Sequence, residues 1–200
     1  MKIIITAVPG CGKTTVLNFL KKHAEEDKKN VVFANFGDYM FEEAKKRGLA
    51  EHRDGMRPLP KNVQEELQLA AAKKISEIRG SVIIDTHASI KTRFGYWSGL
   101  PESILKILKP DVIISLEKDP QIILEKRAGD KEREKIGARD KETAEEIDLH
   151  QKINRAFVIA YAALVGAAVK IVEAEGEETE PLGHAKQAAR KIWDDLKDSI

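Results

Sequence analysis

The sequence predicts an α/β fold in three layers, a five-stranded parallel sheet held between helices. Two observations predict it: five short apolar runs rich in β-branched residues, and segments of helical period that separate them. Strands buried on both faces read as continuous apolar runs, and strands joined through helices lie parallel with right-handed crossovers. No internal repeat or low-complexity linker interrupts the pattern.

The elements follow in chain order. Lys2–Ala7 (KIIITA) is the first strand, and Val31–Phe33, Ser81–Asp85, Asp111–Leu116 and Ala168–Val172 are the other four. Thr14–Glu26 sets Leu17 and Leu20 on one helical face. Asn62–Ile78 carries a stripe of Val63, Leu67, Ala71, Ile75 and Ile78, and Asn62 with Glu65 has the spacing of a capping box. Thr143 and Glu146 repeat that start signal for a long helix reaching about Val165. Ala185–Leu196 closes the chain with Ala188, Ala189, Ile192 and Leu196. Lys126–Lys141, densely charged, reads as a surface excursion, and Glu173–Glu180 as a solvated acidic loop.

At 200 residues, one core with an inserted lid or clamp is expected rather than two domains. Hydrophobic residues at 42% are enough for a packed core. The 34 Lys and Arg nearly cancel the 33 Asp and Glu, so no global field favours nucleic acid or a membrane surface. Cys11 is the only cysteine, which excludes an intramolecular disulfide and a thiolate metal cluster. No two histidines have the spacing of a zinc site. Without an apolar run of about 20 residues or a signal-peptide core, a soluble cytoplasmic protein is the expectation.

The chemistry begins at Ala7-Val8-Pro9-Gly10-Cys11-Gly12-Lys13-Thr14-Thr15. Between a buried strand and a helix, this matches the phosphate-loop pattern of Gly, four residues, Gly-Lys-Ser/Thr, except that Ala7 replaces the first glycine. Gly10 and Gly12 let backbone amides converge on an anion, and the helix N-terminus adds unpaired N–H groups. Lys13 is expected on the β- and γ-phosphates, Thr14 on Mg²⁺, and Thr15 on the α-phosphate of ATP. Ala7 is tolerable if its φ is negative; a positive φ costs it about 1 kcal/mol or more. Asp85, ending SVIID, is placed to hold a Mg²⁺-bound water, with capping of the next turn as the plain alternative.

Further segments carry a resemblance. NFGDYMFEEA at 35–44, HRDGMRPLP at 52–60, VIIDTHASIKT at 82–92, GYWSGLP at 95–101, ARD at 138–140 and the stretch IDLHQKINRAFVIAYAALVGAAVKIV at 147–172 join the phosphate loop. Together they resemble the archaeal-type adenylate kinases, nucleoside-monophosphate kinases of the P-loop superfamily, over almost the whole chain. The resemblance implies phosphoryl transfer from Mg-ATP to AMP, giving two ADP. It implies one kinase domain over 1–200, a helical AMP clamp over 35–78, a short mobile lid over 127–141, and a homotrimer, since members are commonly trimeric.

It also implies roles. Asn35 and Gly37 follow the second strand, where the AMP base or ribose would dock. Arg57 is the preferred ligand of the AMP phosphate, with Arg53 tied to Asp54 or to phosphate; two solvated arginines are the alternative. Lys91 is a candidate toward the acceptor phosphate or a solvated lysine, and His87 orients a loop beside AMP. Arg127, Arg133 and Arg139 are the lid candidates for closing over the moving phosphoryl group, and Arg155 is aimed back at the phosphates. Glu173–Gly176 is a candidate edge for the ATP adenine. Two departures stand out: Ala7, and a lid several residues longer than the compact form. Competing readings are a kinase of another small acceptor and an ATPase acting in assembly or switching.

Overall fold

A computed structural model describes residues 1–134, 142–174 and 182–200, with side chains of the first stretch up to 128. The main sheet holds β1 (Lys2–Thr6), β2 (Val31–Asn35), β3 (Ser81–Thr86), β6 (Val112–Glu117) and β7 (Ala168–Glu173) in the order β2-β3-β1-β6-β7. Every pairing in it is parallel. The five strands anticipated from apolar runs are these five. Ile3, Ile4, Ile5, Val82, Ile83, Ile84, Ile113 and Ile114 are buried, as a sheet covered on both faces requires.

One layer is α1 (Lys13–Glu26) and α7 (Gly183–Leu196). Leu17 and Leu20 meet Ala188, Ala189, Ile192 and Trp193 over Ile3, Ile5 and Leu116. The other layer contains α3 (Lys61–Ser76), α4 (Glu102–Leu108) and α6 (Ala144–Val165). Ala71, Ile75, Leu105, Val158 and Tyr161 pack there on Ile4, Val82, Ile84 and Ile113. An arm made of α2 (Phe36–Lys46), a 3₁₀ turn (Arg53–Met56) and the start of α3 has its own small cluster of Ala44, Met56 and Leu67. Among the described residues no helix is long and apolar enough to cross a membrane.

Several expectations change. Helix α5 (Pro120–Glu134) runs through the first half of the segment read as an excursion. Lys, Glu, Arg and Ala are good helix formers, and charge density is no bar to a helix. Residues 135–141 and 175–181 lie outside the described residues. Asn62 is inside α3, whose N-cap is Pro60 without a side-chain cap. Gln64 instead donates to the carbonyls of Leu59 and Arg57 at 2.8 and 3.2 Å. The Thr143–Glu146 capping box is formed. The bounds of α2, helix α4 and an antiparallel hairpin, β4 (Ser89–Thr92) with β5 (Gly95–Ser98), were not anticipated.

Candidate active site

β1 lies at the centre of the sheet, and its C-terminal end opens into the loop that leads to α1. Such a crevice at the strand C-termini, where connections leave to both sides, is where α/β folds bind ligands. Gly10 and Gly12 have φ of 84° and 98°, left-handed values that glycine adopts without strain. A Cβ at Gly10 would also sit 2.9 Å from Arg127 Nε and 3.1 Å from its Cγ. Lys28, Lys109 and Leu182 are the non-glycine residues with positive φ among those described. Ala7 is not one of them, so it replaces glycine without backbone strain.

Cys11 is 3% exposed, and its Sγ donates to the Leu116 carbonyl at 3.4 Å. Burial pushes its thiol up to about 12, so it fills space and is no thiolate. Val8 is buried beside it. Pro9 turns its carbonyl to Arg127, whose Nε donates to it at 3.0 Å. Thr14 is exposed on the first turn of α1, and Thr15 half-buried. Lys126, not anticipated, is the nearest neighbour of the position where a Gly12 Cβ would stand, at 3.8 Å.

A polar chain crosses from this loop to the arm. Lys13 Nζ forms an ion pair with Asp85 Oδ1 and donates to the Thr86 carbonyl at 2.8 Å. Burial pushes the Lys13 ammonium down, and the Asp85 carboxylate opposes that push. Asn35 Nδ2 donates to Asp85 Oδ2 at 2.7 Å. Asn35 Oδ1 caps α2 through Asp38 N and accepts from Arg53 Nη2 at 2.8 Å. Arg53 Nη1 also lies 3.0 Å from Asp38. Gly37 makes room for this: a Cβ there would stand 2.9 Å from Arg53 Cζ. Four separated stretches of sequence thus meet in one cluster of Lys13, Asp85, Asn35 and Arg53.

The two arm arginines are placed differently from expectation. Asp54 is held by Arg57 at 3.2 Å, not by Arg53, and this pair is well exposed. The three-residue spacing in a single turn suits Arg57 to Asp54, while Arg53, at the head of the turn, reaches back to α2. His87 Nδ1 lies 3.1 Å from the Ala7 carbonyl, which accepts, so Nδ1 carries the proton. Protein surroundings foremost, then Lys13, push the imidazole down to about 4. Solvent reaches the ring and screens part of this, and the ring is neutral at pH 7.

Glu142, just before α6, ties α5 to the hairpin side of the site. It pairs with Arg127 and, at 2.9 Å, with Lys91, which also lies 3.7 Å from Glu146. Lys91 is therefore tied to the start of α6. Arg155 forms a two-point pair with buried Glu117, with Nε–Oε1 at 2.9 Å, and approaches Glu173 at 3.7 Å. Arg155 is thus held at the end of β6. Gln151 brackets Lys118, accepting from its N at 3.0 Å and donating to its O at 2.8 Å. His150 and Asn154 continue the polar face of α6 onto Ser89. The Arg133 side chain, Arg139, Glu175 and Gly176 lie outside the described residues. Sequence reasoning missed Glu117 and Glu142, because nothing local marks a carboxylate whose partner is 15 to 51 residues away, and Lys126, whose place beside the loop depends on how α5 packs.

Comparisons with known proteins agree with one another. Residues 6–148 match the family described as AAA domain. The chain is 46% identical over 194 residues to an adenylate kinase of Pyrobaculum aerophilum, covering 96% of this chain and 94% of that one. It is 44% identical over 194 residues to an adenylate kinase of Pyrococcus furiosus, with the same coverage. Among solved structures, shikimate kinase from Aquifex aeolicus has a TM-score of 0.55 at 16% identity, covering 100% of this chain and 98% of that one. That likeness shows the fold.

Proposed function

We propose that this chain, which belongs to the adenylate kinase family, catalyses reversible phosphoryl transfer from ATP to AMP, giving two ADP. The observation that supports the site assignment is the cluster of Lys13, Asp85, Asn35 and Arg53, which joins a phosphate cradle to a second cationic group. Two phosphate-bearing substrates must meet in line, and two cations bridged by one carboxylate and one amide set that line.

The loop and the amides opening α1 cradle the ATP phosphates. Lys13 then exchanges Asp85 for phosphate oxygen, an exchange favoured because Lys13 is held out of water in either state. Arg127, already on the Pro9 carbonyl, stands over the same loop and neutralises charge on the moving group. Arg53, held by Asn35 and Asp38, takes the AMP phosphate in place of Arg57. AMP is largely ionised at neutral pH, its second pKa near 6, so no strong base is needed. Residues 35–78 form the AMP clamp and 127–141 the lid in this reading.

The donors for Mg²⁺ are the Thr14 hydroxyl and the Asp85 carboxylate, the latter through water. Among the described residues no group of three or more His, Cys, Asp or Glu could hold a metal by itself. That fits an ion that keeps its water and arrives with the triphosphate. When bound, Mg²⁺ would supply charge neutralisation of the phosphates. We assign the chain to the cytoplasm. We further propose a homotrimer, supported by the apolar side chains that α6 leaves exposed: Leu149, Ile159 and Leu164.

Following ADP formation from Mg-ATP with each nucleoside monophosphate tests the reading, in wild type and in Lys13→Ala. ADP is expected from ATP plus AMP and at least 100-fold less in the variant. A wild type that makes no ADP from that pair refutes the assignment.

A further inference from the structure

The β4–β5 hairpin has two unlike faces. Ser89, Lys91, Tyr96 and Ser98 turn to α6. Ser89 bonds His150 and Asn154, the Tyr96 ring lies tilted against His150 with centroids 4.9 Å apart, and Ser98 Oγ lies 2.7 Å from Tyr161 Oη. The register pairs Ile90 with Trp97 on the opposite face, and these are 42% and 45% exposed. An adjacent exposed Ile and Trp cost solvation unless something covers them.

Their position says what covers them. Lys61 Nζ stands 5.7 Å from the Trp97 ring centroid, and Lys61 opens α3 at the end of the arm that carries Arg53 and Met56. The hairpin begins three residues after Thr86, whose carbonyl accepts from Lys13. Its root is pinned there: Gly99 N donates to the Ala88 carbonyl at 2.8 Å, and a Cβ on Gly99 would collide with the His87 carbonyl. The hairpin thus follows β3, which carries Asp85, and its apolar face meets the start of α3, which follows the part of the arm that carries Arg53. With the acceptor phosphate on Arg53, as proposed above, these are the elements that the rest of the acceptor would meet.

We propose that Trp97, backed by Ile90, is the platform on which the base of the acceptor nucleotide stacks, and that it sets the preference for purine over pyrimidine monophosphates. This rests on the adenylate kinase reading above. An indole face rewards the larger purine face without reading its edge. Trp97 thus discriminates AMP from CMP and not AMP from GMP. Lys61, beside the ring, limits its motion and adds a cation near the base.

Steady-state kinetics and fluorescence test this. Trp97→Ala is expected to raise the KM for AMP about tenfold or more, to leave kcat and the KM for ATP within twofold, and to shrink the AMP-to-CMP ratio of kcat/KM. Trp97→Phe restores most of that ratio. Because Trp97 is exposed, both variants fold. AMP is expected to quench Trp97 emission in a Trp193→Phe background, where Trp193, 1% exposed between α7 and the sheet, no longer contributes. If ADP forms from ATP plus AMP, yet Trp97→Ala keeps the wild-type AMP KM and AMP leaves the emission unchanged, the platform is overturned while the adenylate kinase reading stands. Emission that follows protein concentration and not AMP overturns it too, assigning this face to a second copy of the chain.

Discussion

Gly37→Ala is the sharpest test of the acceptor site. The new methyl would stand 2.9 Å from Arg53 Cζ and 3.0 Å from Nε, inside contact distance, so the guanidinium must leave Asn35 and Asp38. The fold itself should barely respond. Arg53 and Asp38 are about half exposed, and such a pair contributes at most about 1 kcal/mol. Alanine in place of glycine within α2, where φ is not positive, returns roughly 0.5–1 kcal/mol. These nearly cancel, and the melting temperature should move by less than about 4 °C in either direction. A hydrogen bond from arginine to charged phosphate is worth about 1.5–3 kcal/mol, which converts to roughly a 10- to 100-fold rise in the KM for AMP. The KM for ATP, whose phosphates are assigned above to the loop and Lys13, should stay within twofold. Arg53→Ala sets the ceiling, and the double variant should be no worse than Arg53→Ala alone. An unchanged AMP KM in Gly37→Ala, or a full additive loss in the double variant, refutes the assignment of Arg53 to the acceptor phosphate.

Three further outcomes follow from the same geometry. Lys13→Met leaves Asp85 without its cation in a poorly solvated site and should lower stability to urea by up to about 3 kcal/mol; adding Asp85→Asn should recover part of it, and strict additivity would show that the pair is not coupled. His87 has a folded pKa pushed below its unfolded value near 6.5, so its contribution is complete above pH 6.5 and is lost as pH falls toward 4. His87→Gln should therefore flatten urea midpoints across that window by no more than about 1 kcal/mol, since water screens the ring; parallel curves would count against it. Cys11, buried with its thiol raised to about 12, should react with iodoacetamide at pH 8 only as fast as the protein opens, and rapid labelling of the native enzyme would contradict its placement.

What could be read before folding was whatever depends on near neighbours. KIIITA and SVIID are strands because consecutive β-branched residues suit a sheet covered on both faces. The phosphate loop is legible because the turn, the glycines and the helix start all lie within nine residues, and Ala7 is harmless because its φ is negative. Thr143 and Glu146 cap α6 for the same local reason. The bounds of α2 were not legible because FGDYMFEEAKK is short and carries a glycine, and the helix is held by packing against Met56 and Leu67 of the same arm. The hairpin was hidden inside a motif whose residues resembled a known family without revealing their shape.

Charge partnership lies beyond sequence altogether. A long arginine can reach any carboxylate the fold brings near, and only the fold says which is near. Arg57, the sequence favourite for the acceptor phosphate, is tied to Asp54; Arg53 takes the place beside Asn35 because Gly37 leaves space for it. Glu142 and Glu117 have no local signature, yet they hold Arg127, Lys91 and Arg155. The sequence by itself determined the strands, the cradle and the family resemblance, because those depend on residue type and short spacing. Tertiary structure alone decided which cations stand together, because parallel strands separated by whole helices converge at one end of the sheet.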